Sequence, residues 1–80
     1  MKFNYLVEAK GLIVLLRKEN LRDVADALAN AIAAGSTGNE IAMAIRWHLA
    51  QLLGRDDVSL TQRTREKAQS ILAELDCILR

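Results

Sequence analysis

The amino-acid sequence predicts an all-α fold, a small up-and-down bundle of four helices, and three observations support this prediction. Apolar residues recur along most of the chain at the spacing of an α-helix. Proline is absent, and glycines or cap-forming residues separate the helical segments. Short connections favour antiparallel neighbours. The helices are expected at about residues 3–18, 21–34, 38–53 and 60–79 of a single domain, 1–80.

The first helix is predicted from an apolar stripe formed by Leu6, Ala9, Ile13 and Leu16. Gly11 weakens a helix by about 1 kcal/mol relative to alanine. The run from Leu12 to Leu16 would also suit a buried strand, so a strand over residues 3–16 stays open as an alternative. Helix is favoured because the rest of the chain offers a strand no partner.

The second helix follows Asn20, which is expected to cap it. Its apolar residues keep helical spacing and comprise Leu21, Val24, Ala25, Leu28 and Ile32. Gly35 is expected to close this helix in the left-handed conformation.

The third helix is predicted to begin at a capping box from Thr37 to Glu40 and to end at Gly54. It carries apolar residues on two sides. One side holds Ile41, Ala42, Ile45, Leu49, Leu52 and Leu53, and the nearly opposite side holds Met43, Trp47 and Ala50. We therefore expect this helix to be central, or to present its second apolar side to a partner.

The fourth helix is expected after a possible capping box formed by Ser59 and Gln62. Its apolar stripe is the most regular in the chain and consists of Ala68, Ile71, Leu72, Leu75, Ile78 and Leu79.

Composition narrows the class of protein. The formal net charge is +1, with charges of both signs scattered along the chain, so nothing favours a polyanionic partner. One cysteine excludes an intramolecular disulfide, and the longest apolar run is too short to span a bilayer. We expect a cytoplasmic protein that is not inserted in a membrane.

No pattern of catalytic residues stands out. His48 and Cys77 are the only strong nitrogen and sulfur metal ligands. The turn at residues 35–38 is not followed by the Lys–Ser/Thr pair of a phosphate-binding loop, and no strand is expected before it. His48 is expected at the margin of the core. We therefore expect neither an enzyme nor a bound metal or cofactor, and we infer no small-molecule substrate.

The favoured hypothesis is a protein–protein interaction module that self-associates, with a homodimer as the expected form. Its premise is that so small a domain cannot bury all the apolar surface of its first and third helices. The sequence leaves open whether Trp47 lies in the core or at an interface. The candidate partner-binding residues are Met43, Arg46, Trp47, Ala50, Tyr5 and Leu12.

Two alternatives remain. An immunity- or antitoxin-type protein would bind and block a partner protein, but the strongly charged face common in that class is missing. A weak nucleic-acid-binding protein would use basic residues around the start of the fourth helix, diluted here by acidic neighbours, namely Arg55, Arg63, Arg65 and Lys67.

Overall fold

The computed structural model describes residues 4–79, and within them the chain forms four α-helices and no β-strand. These are α1 (Tyr5–Lys18), α2 (Arg22–Ala34), α3 (Gly38–Leu53) and α4 (Gln62–Ile78). The all-α prediction is confirmed, and the strand alternative is wrong from residue 5 onward. Phe3, where the first predicted helix starts, lies outside the described residues.

The helices form a closed ring in chain order. Each helix packs against the next, α4 packs against α1, and α1 also contacts α3 across the centre. The hydrogen bond from the amide of Thr61, at the start of α4, to Glu19, at the end of α1, shows that these two helices run antiparallel, and the short connections make successive helices antiparallel as well. The predicted up-and-down bundle is therefore the observed architecture.

One stripe of each helix fills the common core. Its buried apolar side chains are Ala9, Leu12, Ile13 and Leu16 of α1, Ala25 and Leu28 of α2, Ala42, Ile45, Leu49 and Leu52 of α3, and Ala68, Ile71 and Leu75 of α4. Burying each larger side chain stabilises the fold by about 1.5–3 kcal/mol, whereas an exposed ion pair contributes about 0–1 kcal/mol. Apolar packing, rather than charge pairing, therefore holds the bundle together.

Gly11 has a packing role in the middle of α1. A Cβ atom there would lie 3.2 Å from Cε of Lys67, which crosses over from α4. The ammonium group of Lys67 continues to the Glu8 carboxylate at 2.5 Å. The glycine therefore gives Lys67 room to lie along α1, which offsets part of its helix-weakening effect.

The turn between α1 and α2 corrects the role predicted for Asn20. Asn20 adopts a positive φ of 64°, and the amides of Asn20 and Leu21 donate to the carbonyl oxygens of Arg17 and Leu16. This is the hydrogen-bond pattern of a Schellman motif, which ends a helix. Asn20 thus closes α1, and Leu21 is the N-cap of α2, which begins at Arg22 without a side-chain cap.

Glu19 joins the end of α1 to the start of α4. Its carboxylate accepts hydrogen bonds from the amide of Thr61, at 2.8 Å, and from the hydroxyl of Thr64. Thr61 is the N-cap of α4, so the predicted capping box of Ser59 and Gln62 is wrong. A negative charge at a helix N-terminus is stabilising, because the first amides of the helix point toward it.

The turn between α2 and α3 depends on Gly35 in a way the sequence did not predict. Gly35 is extended, with φ −69° and ψ 133°, rather than left-handed. A Cβ atom on Gly35 would collide with Cγ1 of Ile41. The predicted capping box is present, since Thr37 accepts from the Glu40 amide at 3.1 Å, although Glu40 reaches back to the amide of Ser36. Glycine is therefore needed here for space.

Replacing Gly35 with alanine should lower the free energy of unfolding by about 1–3 kcal/mol, because the new methyl group forces the α2–α3 turn away from Ile41. Chemical denaturation measures this change. Gly38→Ala is the matched control, since its Cβ would meet only the Tyr5 hydroxyl at an ordinary 3.5 Å. Equal stability of the two variants would contradict the close approach.

Glu19 should make the stability sensitive to acid. Burial raises the pKa of its carboxyl group, but hydrogen bonds from Thr64 and Thr61 outweigh burial and hold the pKa below its ordinary value of 4.5. The contribution of Glu19 is therefore complete above pH 4.5 and is lost as the pH falls through the lowered pKa of the folded state.

Glu19→Gln should reduce the free energy of unfolding at neutral pH by about 1 kcal/mol, the usual effect of losing a cap. The variant should also lose less stability than the wild type as the pH is lowered. Denaturation at a series of pH values tests both. Glu74→Gln removes the same charge from an exposed position on α4 and should leave stability near that of the wild type. An unchanged acid decline in Glu19→Gln would refute the link between α1 and α4.

Candidate docking surface

The second apolar side of α3 stays outside the core. Met43 and Trp47 are 56% and 60% exposed, and Ala50 on the same stripe is also exposed. The opposite side of α3 is already occupied, since Ala42, Ile45 and Leu49 are buried. Because a helix in this ring turns one stripe to the core, the stripe about half a turn away has to face outward.

Two residues of α4 complete this surface. Leu72 and Asp76 lie beside the α3 stripe, and together with it they line an open cavity of about 360 Å³. We call the residues around this cavity the α3–α4 surface: Met43, Arg46, Trp47, Ala50, Leu72 and Asp76.

An ion pair crosses the α3–α4 surface. Nε of Arg46 lies 2.5 Å from Oδ1 of Asp76, and both side chains are about half exposed, at 53% and 45%. Each charge is therefore balanced by its neighbour yet remains accessible to a partner. The surface presents one positive and one negative group beside its apolar residues.

Trp47 and Met43 each contact another residue of α3. Its ring meets that of His48 edge to face, with centroids 5.0 Å apart and planes at 88°. The Met43 thioether, one turn earlier, contacts the amide of Asn39 at 3.9 Å. Tryptophan, methionine and arginine are enriched at the centres of protein interfaces, so the composition of this surface suits protein contacts.

Two predicted partner-binding residues lie elsewhere. Leu12 is fully buried in the core, with no exposed surface, and cannot contact a partner of the folded chain. Tyr5 is half-buried, and its hydroxyl donates a hydrogen bond of 3.0 Å to the carbonyl oxygen of Gly38. This bond ties the start of α1 to the start of α3. Tyr5 therefore has a structural contact away from the α3–α4 surface.

The other chemically notable residues do not converge. His48 is half-buried and lines a smaller cavity between α2 and α3, beside Asp23 and Arg55. Cys77 is a free, exposed thiol near the end of α4. Within residues 4–79, no three histidine, cysteine or acidic side chains lie together as metal ligands would.

The basic residues near α4 are offset by acids. Arg63 and Lys67 line a groove between α1 and α4 together with Glu8 and Glu66. The Lys67–Glu8 ion pair and the charge of Glu66 weaken the field that a nucleic-acid backbone would meet along this groove, which Lys18 also lines.

Arg55, in the loop before α4, donates two hydrogen bonds to Asp57, at 3.0 and 2.8 Å. This interaction lowers the pKa of Asp57 and raises the pKa of Arg55. Arg55 is therefore already paired, which removes it from a continuous basic face.

The sequence interpretation missed the contribution of α4 to the surface. Leu72 belongs to the apolar stripe predicted for the fourth helix, and nothing in the local sequence pairs position 76 with position 46. Their proximity follows from the register of α3 against α4, which depends on tertiary packing. A bulky aromatic residue opposite the core stripe of α3 was the one available signal.

No helix in the described part of the chain is long and apolar enough to cross a membrane. No protein-family model, curated protein or solved structure matches this chain.

Because Trp47 is exposed and Leu12 is buried, replacing each with alanine should change the stability of the fold by different amounts. Trp47→Ala removes a side chain that is 60% exposed and should change the free energy of unfolding by less than about 1 kcal/mol. Leu12→Ala should cost about 2–5 kcal/mol, because it opens a cavity in the core. Denaturation at low protein concentration measures both. A large loss in Trp47→Ala would mean that Trp47 supports the core.

Proposed function

We propose that this protein is a small protein–protein interaction module that associates with a second copy of itself through the α3–α4 surface. The observation that carries this proposal is the exposure of Trp47 beside Met43 on a helix whose other side already fills the core. Full burial of an aromatic side chain removes about 150–250 Å² from water, and covering Trp47, which is 60% exposed, removes the part of its area that is still accessible. Removing this surface from water is the driving force for association.

Charge favours a second copy over a strongly charged partner. The formal net charge is +1, so two copies repel each other little at long range. Arg46 and Asp76 give the surface one charge of each sign. A protein that blocks a charged target would be expected to oppose it with charges of the other sign, and the α3–α4 surface carries no such excess.

The size of the molecule limits the affinity. A standard interface buries about 800 Å² on each partner, which corresponds to about 15% of the 5344 Å² of accessible surface of this chain. The cavity alone does not supply that area, so the contact has to extend along both α3 and α4. We expect a dimer that dissociates at micromolar concentration.

The exposed thiol of Cys77 fits action in a reducing compartment. We therefore keep the cytoplasm as the proposed location.

Association should depend on Trp47. In sedimentation velocity at micromolar concentration, the wild type should show a monomer–dimer equilibrium, and Trp47→Ala should weaken it by about 2 kcal/mol or more, as expected for a central interface residue. The emission of Trp47, the single tryptophan, should shift to shorter wavelength as concentration rises. This shift is expected because dimerisation would exclude water from the indole ring.

Val7→Ala is the matched control, because Val7 is 61% exposed on α1, outside the α3–α4 surface. It should leave the equilibrium unchanged. A wild type that stays monomeric at high micromolar concentration, with constant Trp47 emission, would exclude this function.

A further inference from the structure

The charges of the α3–α4 surface are arranged so that two copies can match each other in one orientation. Arg46 lies on α3 and Asp76 lies directly across from it on α4. Two copies that face each other are related by a two-fold axis lying in the plane of their contact. This axis can run parallel to the helices, between α3 and α4, or it can run across them.

The two directions of the axis have opposite electrostatic consequences. An axis parallel to the helices exchanges the positions of α3 and α4, so that Arg46 faces the partner's Asp76. An axis across the helices at the level of the ion pair places α3 over the partner's α3, so that Arg46 faces the partner's Arg46. Like charges placed opposite each other are costly in an interface.

We propose that the dimer axis runs parallel to α3 and α4, and that Arg46 and Asp76 of the two copies form an alternating square of four charges. This inference rests on the proposed function and specifies its geometry. Each charge keeps its own neighbour at 2.5 Å and gains an opposite charge across the interface. The charges thus fix the orientation, and Met43 and Trp47 supply the buried area.

The same axis also matches the apolar residues. Ala50 lies one turn beyond Arg46 on α3, and Leu72 lies one turn before Asp76 on the antiparallel α4, so the two are level. The axis therefore brings Ala50 over the partner's Leu72, a small side chain against a large one. Each α3 packs antiparallel to the partner's α4, as neighbouring helices do within the bundle.

Charge reversal tests the orientation. Arg46→Asp and Asp76→Arg, made singly, each create a surface of one sign and should raise the dissociation constant of the dimer by about tenfold or more. The double variant Arg46→Asp/Asp76→Arg restores both the internal pair and the contact across the axis. It should dimerise as the wild type does.

Mixing the double variant with the wild type distinguishes the two axes. With the parallel axis, a mixed pair places like charges opposite each other, so the two proteins should sort into separate homodimers. With the crossing axis, a mixed pair gains two attractive contacts and heterodimers should predominate. Native mass spectrometry after equilibration measures the amounts of the two homodimers and the heterodimer.

The control is Arg17→Asp/Asp26→Arg, which swaps an exposed ion pair between α1 and α2, away from the α3–α4 surface. When this variant is mixed with the wild type, homodimers and heterodimers should form in statistical proportions. Heterodimers of the wild type with Arg46→Asp/Asp76→Arg at or above the statistical proportion would overturn the proposed axis while leaving self-association intact. A monomeric wild type would instead overturn the proposed function.

Discussion

The structure depends on a geometric constraint: each helix of this ring can turn only one stripe toward the shared core. In α1, α2 and α4 the buried apolar residues form one stripe, although Val7 and Val14 of α1 and Ile78 of α4 remain exposed. Helix α3 is different, because Ile45 and Trp47 lie on nearly opposite sides and cannot both enter the core. The bundle buries Ile45 and leaves Trp47 outside, and the candidate surface is a direct result of that packing.

The connections between helices determine which residues of α4 come to lie beside α3. Asn20 ends α1 in the left-handed conformation. The carboxylate of Glu19 then accepts hydrogen bonds from the amide of Thr61 and the hydroxyl of Thr64 at the start of α4. At the other end of α1, Tyr5 holds the start of α3. None of these contacts involves a residue of the α3–α4 surface, yet each limits how the helices can slide past one another. Capping interactions and the candidate surface are thus linked through helix register.

Sequence periodicity was sufficient for the helices, because the spacing of apolar residues reports directly on the buried stripe. The exact caps were harder, since Asn20 can either start or end a helix and Thr61 competes with Ser59 as the first cap of α4. For Gly35, a tertiary contact with Ile41 replaced the expected left-handed backbone. The spacing places Trp47 opposite the core stripe of α3, but because both sides of that helix are apolar, packing decides which side is buried. The contribution of Leu72 and Asp76 depends on interhelical register, which local spacing does not encode.

The ion pair and the apolar residues of the α3–α4 surface contribute different amounts of free energy. An exposed pair such as Arg46 and Asp76 contributes about 0–1 kcal/mol to the fold, so its removal leaves the bundle intact. Covering Trp47 contributes more free energy, but apolar contact is non-directional and would tolerate several orientations of a partner. A charge pair of mixed sign supplies the missing direction at little energetic cost, because it penalises the orientations that oppose like charges. In the proposed dimer, the apolar residues therefore supply the free energy of association, and the ion pair selects the orientation.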